Sequence, residues 1–287
     1  MRLAGALLLF AAARPLAAQQ AAGPWDAVAR AFGRATPASG ETYRITLPRT
    51  DLRIAVGGVR VEPALALTSW AAFGGPPDSC DVMGDLVLVQ GEVAGVVSGL
   101  LAAGFDVTAI HHHLLGESPR VLYVHYHGRG AAGELAPKLA RVLGGTATPL
   151  APSAPAPPRA VLDTAAIFAA LGTRGRLAGD VVQVAVATSG SAVTLAGRPV
   201  PLALGMGTAI NLQPAGASRA VTTGDFVLAA DRVVPVARAL TDAGIRVTAI
   251  HNHLVGEEPR AFFMHFWGDG EPLALARALR VALDAAR

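Results

Sequence analysis

The chain has 287 residues, 52% of them hydrophobic, and a formal charge of +3. That is enough apolar material for one large core or two modest ones, and it excludes a disordered or fibrous protein. Without Arg2 and Arg14 the charge falls to +1, and no basic stripe with interleaved aromatics occurs, so no nucleic-acid partner is expected.

Met1-Arg2-Leu3 gives a short positive start, and Ala4 to Ala13 an apolar run too short for a comfortable membrane span. Leu16-Ala17-Ala18 then offers the small residues of a signal-peptidase site. Residues 1–18 are therefore expected to be a cleaved export signal, leaving a periplasmic or secreted protein with no stable membrane span. Cys80, the single cysteine, rules out an internal disulfide even where the compartment would permit one, and reads as a small apolar filler.

Met83 to Gly128 aligns without a gap onto Thr223 to Gly268 at a constant offset of 140 residues. Gly84-Asp85 answers Gly224-Asp225, Gly116-Glu117 answers Gly256-Glu257, and Pro119-Arg120 answers Pro259-Arg260. A period this long is a duplicated domain and not a solenoid. The expected layout is repeat unit 1 at 24–145, a Pro/Ala-rich linker at 146–160 and repeat unit 2 at 161–287.

Within unit 1, Trp25 to Arg34 predicts an opening amphipathic helix, and Tyr43 to Leu47 and Leu52 to Val56 predict short strands. Leu86 to Val89 follows as a strand, then a helix over Val93 to Ala103 closed by Gly104. Val107 to His113 and Val121 to His127 are predicted to pair as a hairpin across Gly116 to Arg120, before a last helix at Leu135 to Leu143. This pattern implies an α+β fold: two pseudo-twofold-related units, each with a mixed or antiparallel sheet and helices on one face.

All eight histidines fall in the two hairpins. Alternation puts His111 and His113 on one face of their strand and His112 on the other, where Asn252 replaces it in unit 2. With the turn centred near Pro119, His113 would face His125 and His111 would face His127, with Cβ atoms about 4.5–5.5 Å apart. A one-residue slip would break that grouping. Unit 2 keeps His251, His253 and His265, with Trp267 in place of His127.

Three neutral imidazoles can hold a divalent metal, zinc being the commonest choice, which would activate a water or polarise a substrate oxygen. Glu117 and Glu257 are candidate fourth ligands or general bases, and Arg120 and Arg260 candidate grips for the carboxylate or phosphate of a small-molecule substrate. The alternatives are a non-catalytic protein that binds a metal or small ligand, and a structural role in which the histidines are a hydrogen-bonded core pair and Glu and Arg tie down the loop. Asp85 and Asp225, each after a glycine, read as turn side chains. Ser69-Trp70 has no visible counterpart in unit 2 and reads as packing. The number of sites and the oligomeric state stay open.

The duplicated Gly-Asp segment, the His-x-His-Leu-x-Gly-Glu-x-Pro-Arg hairpin and Met264-His265-Phe266-Trp267 resemble the LppY/LpqO family of exported bacterial proteins over nearly all of the chain beyond the signal. The resemblance implies export and the duplicated layout, and leaves the activity open. The family's lipidated cysteine has no counterpart after the signal segment here. Locally, the hairpin resembles the zinc hairpin of acetolactate decarboxylase. By that likeness His111, His113, His125, His251, His253 and His265 would be ligands, with Arg120 or Arg260 on an anionic substrate. His-x-His with a glutamate four residues on also echoes cupins, but the helix directly before it argues against an all-β barrel.

Overall fold

The computed structural model describes residues 23–151, 162–187 and 192–287. The expected export signal and most of the expected linker lie outside the described residues.

Unit 1 opens with helix α1 (Asp26–Phe32), which ends at Gly33 in the left-handed conformation. Strands β1 (Thr42–Pro48), β2 (Thr68–Gly74) and β3 (Cys80–Val89) lead into α2 (Gln90–Ala102), followed by β4 (Asp106–His111), β5 (Val121–Gly130) and α3 (Ala132–Leu143). The sheet runs β1-β2-β3-β5-β4 and every pairing is antiparallel. Unit 2 repeats the plan with α4 (Thr164–Leu171), β6 (Gly175–Ala178), β7 (Val181–Val186), β8 (Thr208–Pro214), β9 (Ala220–Leu228), α5 (Val233–Asp242), β10 (Arg246–His251), β11 (Phe262–Gly270) and α6 (Pro272–Ala285). Its sheet order is β10-β11-β9-β8-β7-β6, again antiparallel throughout. The duplicated α+β fold predicted from sequence is thus the fold observed.

Alternation along the strands sends two sets of side chains to opposite faces. In β3, Val82, Leu86 and Leu88 pack with Val96, Leu100, Leu135 and Leu139 of the helices. From the other face, Met83 joins Leu204, Met206, Val227 and Phe263 of unit 2, and Val87 joins Val181, Val221 and Trp267. Each sheet therefore carries helices on one face and lays the other against its sister unit. That helix-free face is where the histidines emerge.

Several elements run longer than expected. β3 starts six residues earlier than predicted because its first half, Cys80 to Asp85, is buried as completely as its apolar second half. Leu52 to Val56 keeps only Ala55–Val56 as a strand. That pair is claimed by a small separate ribbon with Val59–Arg60 and Glu117–Ser118. Arg49, fully buried, ties this corner together: its guanidinium bonds Asp51, Glu92 and the Val87 carbonyl.

The reading of Ser69 as lacking a counterpart needs correcting. The Ser69 hydroxyl accepts the Val87 amide at 2.8 Å, and the Thr208 hydroxyl accepts the Val227 amide at 3.0 Å. Ser69 therefore has a structural counterpart, hidden in the sequence because the side chain changed from Ser to Thr. The Trp70 ring lies against the Arg44 guanidinium, 4.0 Å from its centroid.

Candidate metal centre

The β3–β5 pairing places Asp85 directly opposite His125, and the β9–β11 pairing places Asp225 opposite His265. On the far side of β5, His125 faces Ala109 and His111 faces Tyr123; in unit 2, His265 faces Ala249 and His251 faces Phe263. Both hairpins carry an irregularity in register, between Val107 and Ala109 and between Val247 and Ala249. Independently of that irregularity, the expected opposition of His113 to His125 and of His111 to His127 is replaced by a shifted pairing, in which His125 meets Ala109 and His127 meets Asp106. β4 ends at His111, and His113 comes back from the following turn to meet it.

Glycine precedes each aspartate for a steric reason. A Cβ at Gly84 would run into the Trp70 carbonyl and the Tyr126 hydroxyl, and one at Gly224 into the Ala209 carbonyl. The reading of Asp85 and Asp225 as turn side chains is corrected accordingly: both stand mid-strand, inside the histidine cluster.

Six histidines come together, three from each unit. Within unit 1 the Nε2 atoms of His111 and His113 are 3.0 Å apart; within unit 2 those of His251 and His265 are 2.8 Å apart. Between units the rings come closest by their faces, with centroid separations of 3.8 Å for His111 on His251, 3.7 Å for His113 on His265 and, tilted by 38°, 3.7 Å for His125 on His253. Tyr123 covers the outer face of His113 at 3.5 Å, and Phe263 that of His253 at 3.3 Å. Three sets of histidine nitrogens lie close enough to hold one ion: His111/His113/His265, His111/His125/His251 and His251/His253/His265.

The backbone fixes several tautomers. His125 Nδ1 donates to the Gly84 carbonyl at 3.1 Å, His265 Nδ1 to the Gly224 carbonyl at 2.9 Å, and His251 Nδ1 to the Asn252 carbonyl at 3.1 Å. Each bond leaves Nε2 with a bare lone pair directed at the cluster. Asp85 Oδ2 lies 3.2 Å from His113 Nε2, and Asp225 Oδ2 lies 3.5 Å from His253 Nε2. Several polar atoms here are sealed from solvent yet have no hydrogen-bond partner: Asp85 Oδ1, Asp225 Oδ1, His111 Nδ1, His125 Nε2 and His253 Nε2. Buried polar atoms are normally paired, so such a concentration marks a place prepared for something else.

Burial is the chief cause holding His111, His113, His125, His253 and His265 below the ordinary imidazole range, and it brings His251 down to about 4. The neighbouring imidazoles reinforce the shift at all but His251, where they add little beyond His112. The same desolvation pushes the Asp85 and Asp225 carboxyls up. Neutral imidazoles are in the form that ligates a metal, whereas the two carboxyls would have to lose their protons to do so, which a bound cation favours.

The other residues singled out in the sequence lie apart from this cluster. His127 bonds Asp81 at 3.1 Å and faces Asp106 at 3.5 Å; Asp81 is also held by Arg129 and by Arg198 of unit 2. Glu117 is buried in the Ala55–Val56 ribbon and Glu257 in the equivalent ribbon with Thr194–Leu195. Glu257 Oε1 accepts the Ala261 amide at 3.3 Å, while its Oε2 is buried without a partner. Arg120 and Arg260 are exposed and form no ion pair among the described residues. His112 crosses the junction to the Thr248 carbonyl at 2.9 Å. The Cys80 thiol is buried and pushed up to about 11, as suits a filler.

A family described as Domain of Unknown Function (DUF1259) matches residues 26–144 and again residues 165–285. The chain belongs to that family and carries its domain twice. No curated protein matches the sequence. Among solved structures, crystal form I of TP0453 aligns over 77% of this chain and 81% of that chain, at 11% identity and a TM-score of 0.20, which carries no argument about fold or function. Among the described residues, no helix is long and apolar enough to cross a membrane.

Proposed function

We propose that this member of the family is an exported metal-binding protein, periplasmic or secreted and of the LppY/LpqO type, whose paired repeats close a shell of imidazoles on a divalent transition metal. One observation carries the reading. His251 and His265 both spend Nδ1–H on backbone carbonyls, so their Nε2 lone pairs face each other at 2.8 Å. Two lone pairs that close repel unless a cation lies between them, and burial disfavours a proton in that role.

The spacing suits the proposal. With metal–nitrogen bonds of about 2.0–2.1 Å, a tetrahedral shell sets its nitrogens roughly 3.3 Å apart. Imidazole donors favour zinc, copper, nickel or iron over magnesium and calcium, and zinc is the first choice for an all-nitrogen and carboxylate shell. Asp85 and Asp225 supply the negative charge that offsets a divalent ion.

A metal-dependent hydrolase or lyase acting on a small anionic compound is the second reading. It needs an open coordination position, and the incompletely covered rings of His113 and His251 favour one there. The bound metal would polarise a substrate oxygen, while exposed Arg120 and Arg260 would attract the anion. The burial of the other four rings favours the closed, non-catalytic shell.

The test is elemental mass spectrometry on protein purified without an affinity tag, alongside His111→Ala/His113→Ala and His251→Ala/His253→Ala variants. Near-stoichiometric metal that falls with the substitutions is the expected result. No metal in the wild type, before or after incubation with zinc, would overturn the proposal and leave the histidines a structural role.

A further inference from the structure

We infer that the cluster holds two metal ions, one for each repeat, with His111, His113, His125 and Asp85 around the first and His251, His253, His265 and Asp225 around the second. This rests on the metal-binding reading and goes beyond it by fixing the number of ions and their ligands.

The argument comes from the difference between contacts within a repeat and contacts between repeats. An imidazole lone pair lies in the plane of its ring, and a ligated metal must sit near that plane. Within a repeat the nitrogens converge edge to edge, at 3.0 Å for His111 and His113 and 2.8 Å for His251 and His265. Between repeats the rings lie face to face, at 3.7 to 3.8 Å and inclined by 25° to 38°. Rings stacked in that way direct their lone pairs past one another, toward separate points.

Of the three candidate triads, His111/His113/His265 contains the stacked pair His113–His265, and His111/His125/His251 contains the stacked pair His111–His251. His251/His253/His265 contains no ring pair closer than 4.9 Å and belongs wholly to one repeat. The corresponding residues of unit 1, His111, His113 and His125, are not one of the three triads, but the His111 ring keeps a similar spacing there, 4.9 Å from His113 and 4.7 Å from His125.

The carboxylates divide in the same way. Asp85 stands across the sheet from His125 and 3.2 Å from His113; Asp225 stands across from His265 and 3.5 Å from His253. Each keeps an Oδ1 atom out of solvent and without a partner. One ion would need one such carboxylate. Two sets of the same residue types, each with three imidazoles and its own carboxylate, fit two divalent ions, with the stacked rings as the wall between them.

The experiment uses the full chain, freed of metal with a chelator and reloaded with Zn²⁺ or Cu²⁺. Native mass spectrometry is expected to count two ions per chain, falling to one in Asp225→Asn and to one in Asp85→Asn. Electron paramagnetic resonance of the Cu²⁺-loaded wild type, which needs no variant to fold, is expected to show a half-field transition from a coupled pair. One ion per chain with an isolated Cu²⁺ spectrum would overturn the inference and leave the metal-binding reading standing; no ion at all would overturn both.

Discussion

The ring of His111 lies on the ring of His251, centroids 3.8 Å apart, and these two residues occupy the same position in successive repeats. A pseudo-twofold axis relating the repeats must therefore pass between them. The neighbouring contacts obey it: His113 on His265 is matched by His125 on His253, each at 3.7 Å. A duplicated hairpin has thus been turned into a single junction, in which the histidines of one unit wall in those of the other.

The same axis relates two hydroxyl bonds that fasten the junction. Thr108 Oγ1 donates to the His253 carbonyl, and Thr248 Oγ1 donates to the His113 carbonyl at 2.6 Å. Valine keeps the shape of threonine and removes the donor. Thr108→Val and Thr248→Val are each expected to cost about 1 kcal/mol. Urea denaturation checks this; losses within about 0.2 kcal/mol of zero for both variants would show that the hydroxyls do not fasten the repeats.

His127 sets a contrast. Its side chain serves Asp81 and Asp106, and Arg129 and Arg198 hold Asp81 independently. His127→Ala is expected to leave metal content unchanged and to lower stability by about 1 kcal/mol, since Asp81 keeps two cationic partners. Elemental analysis decides the first point; a substantial fall in metal would return His127 to the ligand set.

How far the sequence reveals this site depends on which physical constraint is local. The duplication and the α+β layering follow from the offset and the strand alternation, and the confinement of every histidine to two hairpins marks the site, with His127 expected beside the six that converge. The pairing of His125 with Ala109 does not follow, because β4 stops at His111 and Glu117–Ser118 is drawn into the ribbon with Ala55–Val56, so the strands do not pair about Pro119, and nothing in the local sequence announces it. Asp85 was hidden for another reason. A glycine before an aspartate is the ordinary mark of a turn, and only the neighbouring strand's backbone shows that Gly84 is there to make room. The available signal was the recurrence of an ionisable side chain within two otherwise apolar strands.

That close approach makes a prediction. A methyl group at residue 224 would collide with the Ala209 carbonyl, which belongs to a paired strand and cannot turn aside. The displaced backbone also carries the carbonyl that fixes the His265 tautomer. Gly224→Ala is expected to lose about 1–3 kcal/mol, the usual cost of overpacking, together with metal held by unit 2. Thermal melting with elemental analysis tests both; a variant as stable and as metal-rich as the wild type would mean that the strands separate without consequence.

The metal-free protein should be sensitive to acid. In the unfolded chain a histidine takes up a proton near 6.5, whereas in the folded chain His251 does so only at about 4, and the other five cluster histidines are also lowered. Because their folded pKa values lie below the unfolded value, the unfolded state binds more protons between these limits. The stabilising contribution is full above about 6.5 and falls as the pH drops toward 4, at up to about 1.4 kcal/mol per pH unit for each group. Asp85 and Asp225 act in the opposite sense: their raised folded pKa values contribute stability at low pH that is lost as the pH rises through them. Six imidazoles outnumber two carboxyls, so the urea midpoint of chelator-treated protein should fall steadily from pH 6.5 to 4. A flat midpoint over that interval would mean that the rings are hydrated or protonated in the folded state, and that the junction is far more open than the stacked histidines require.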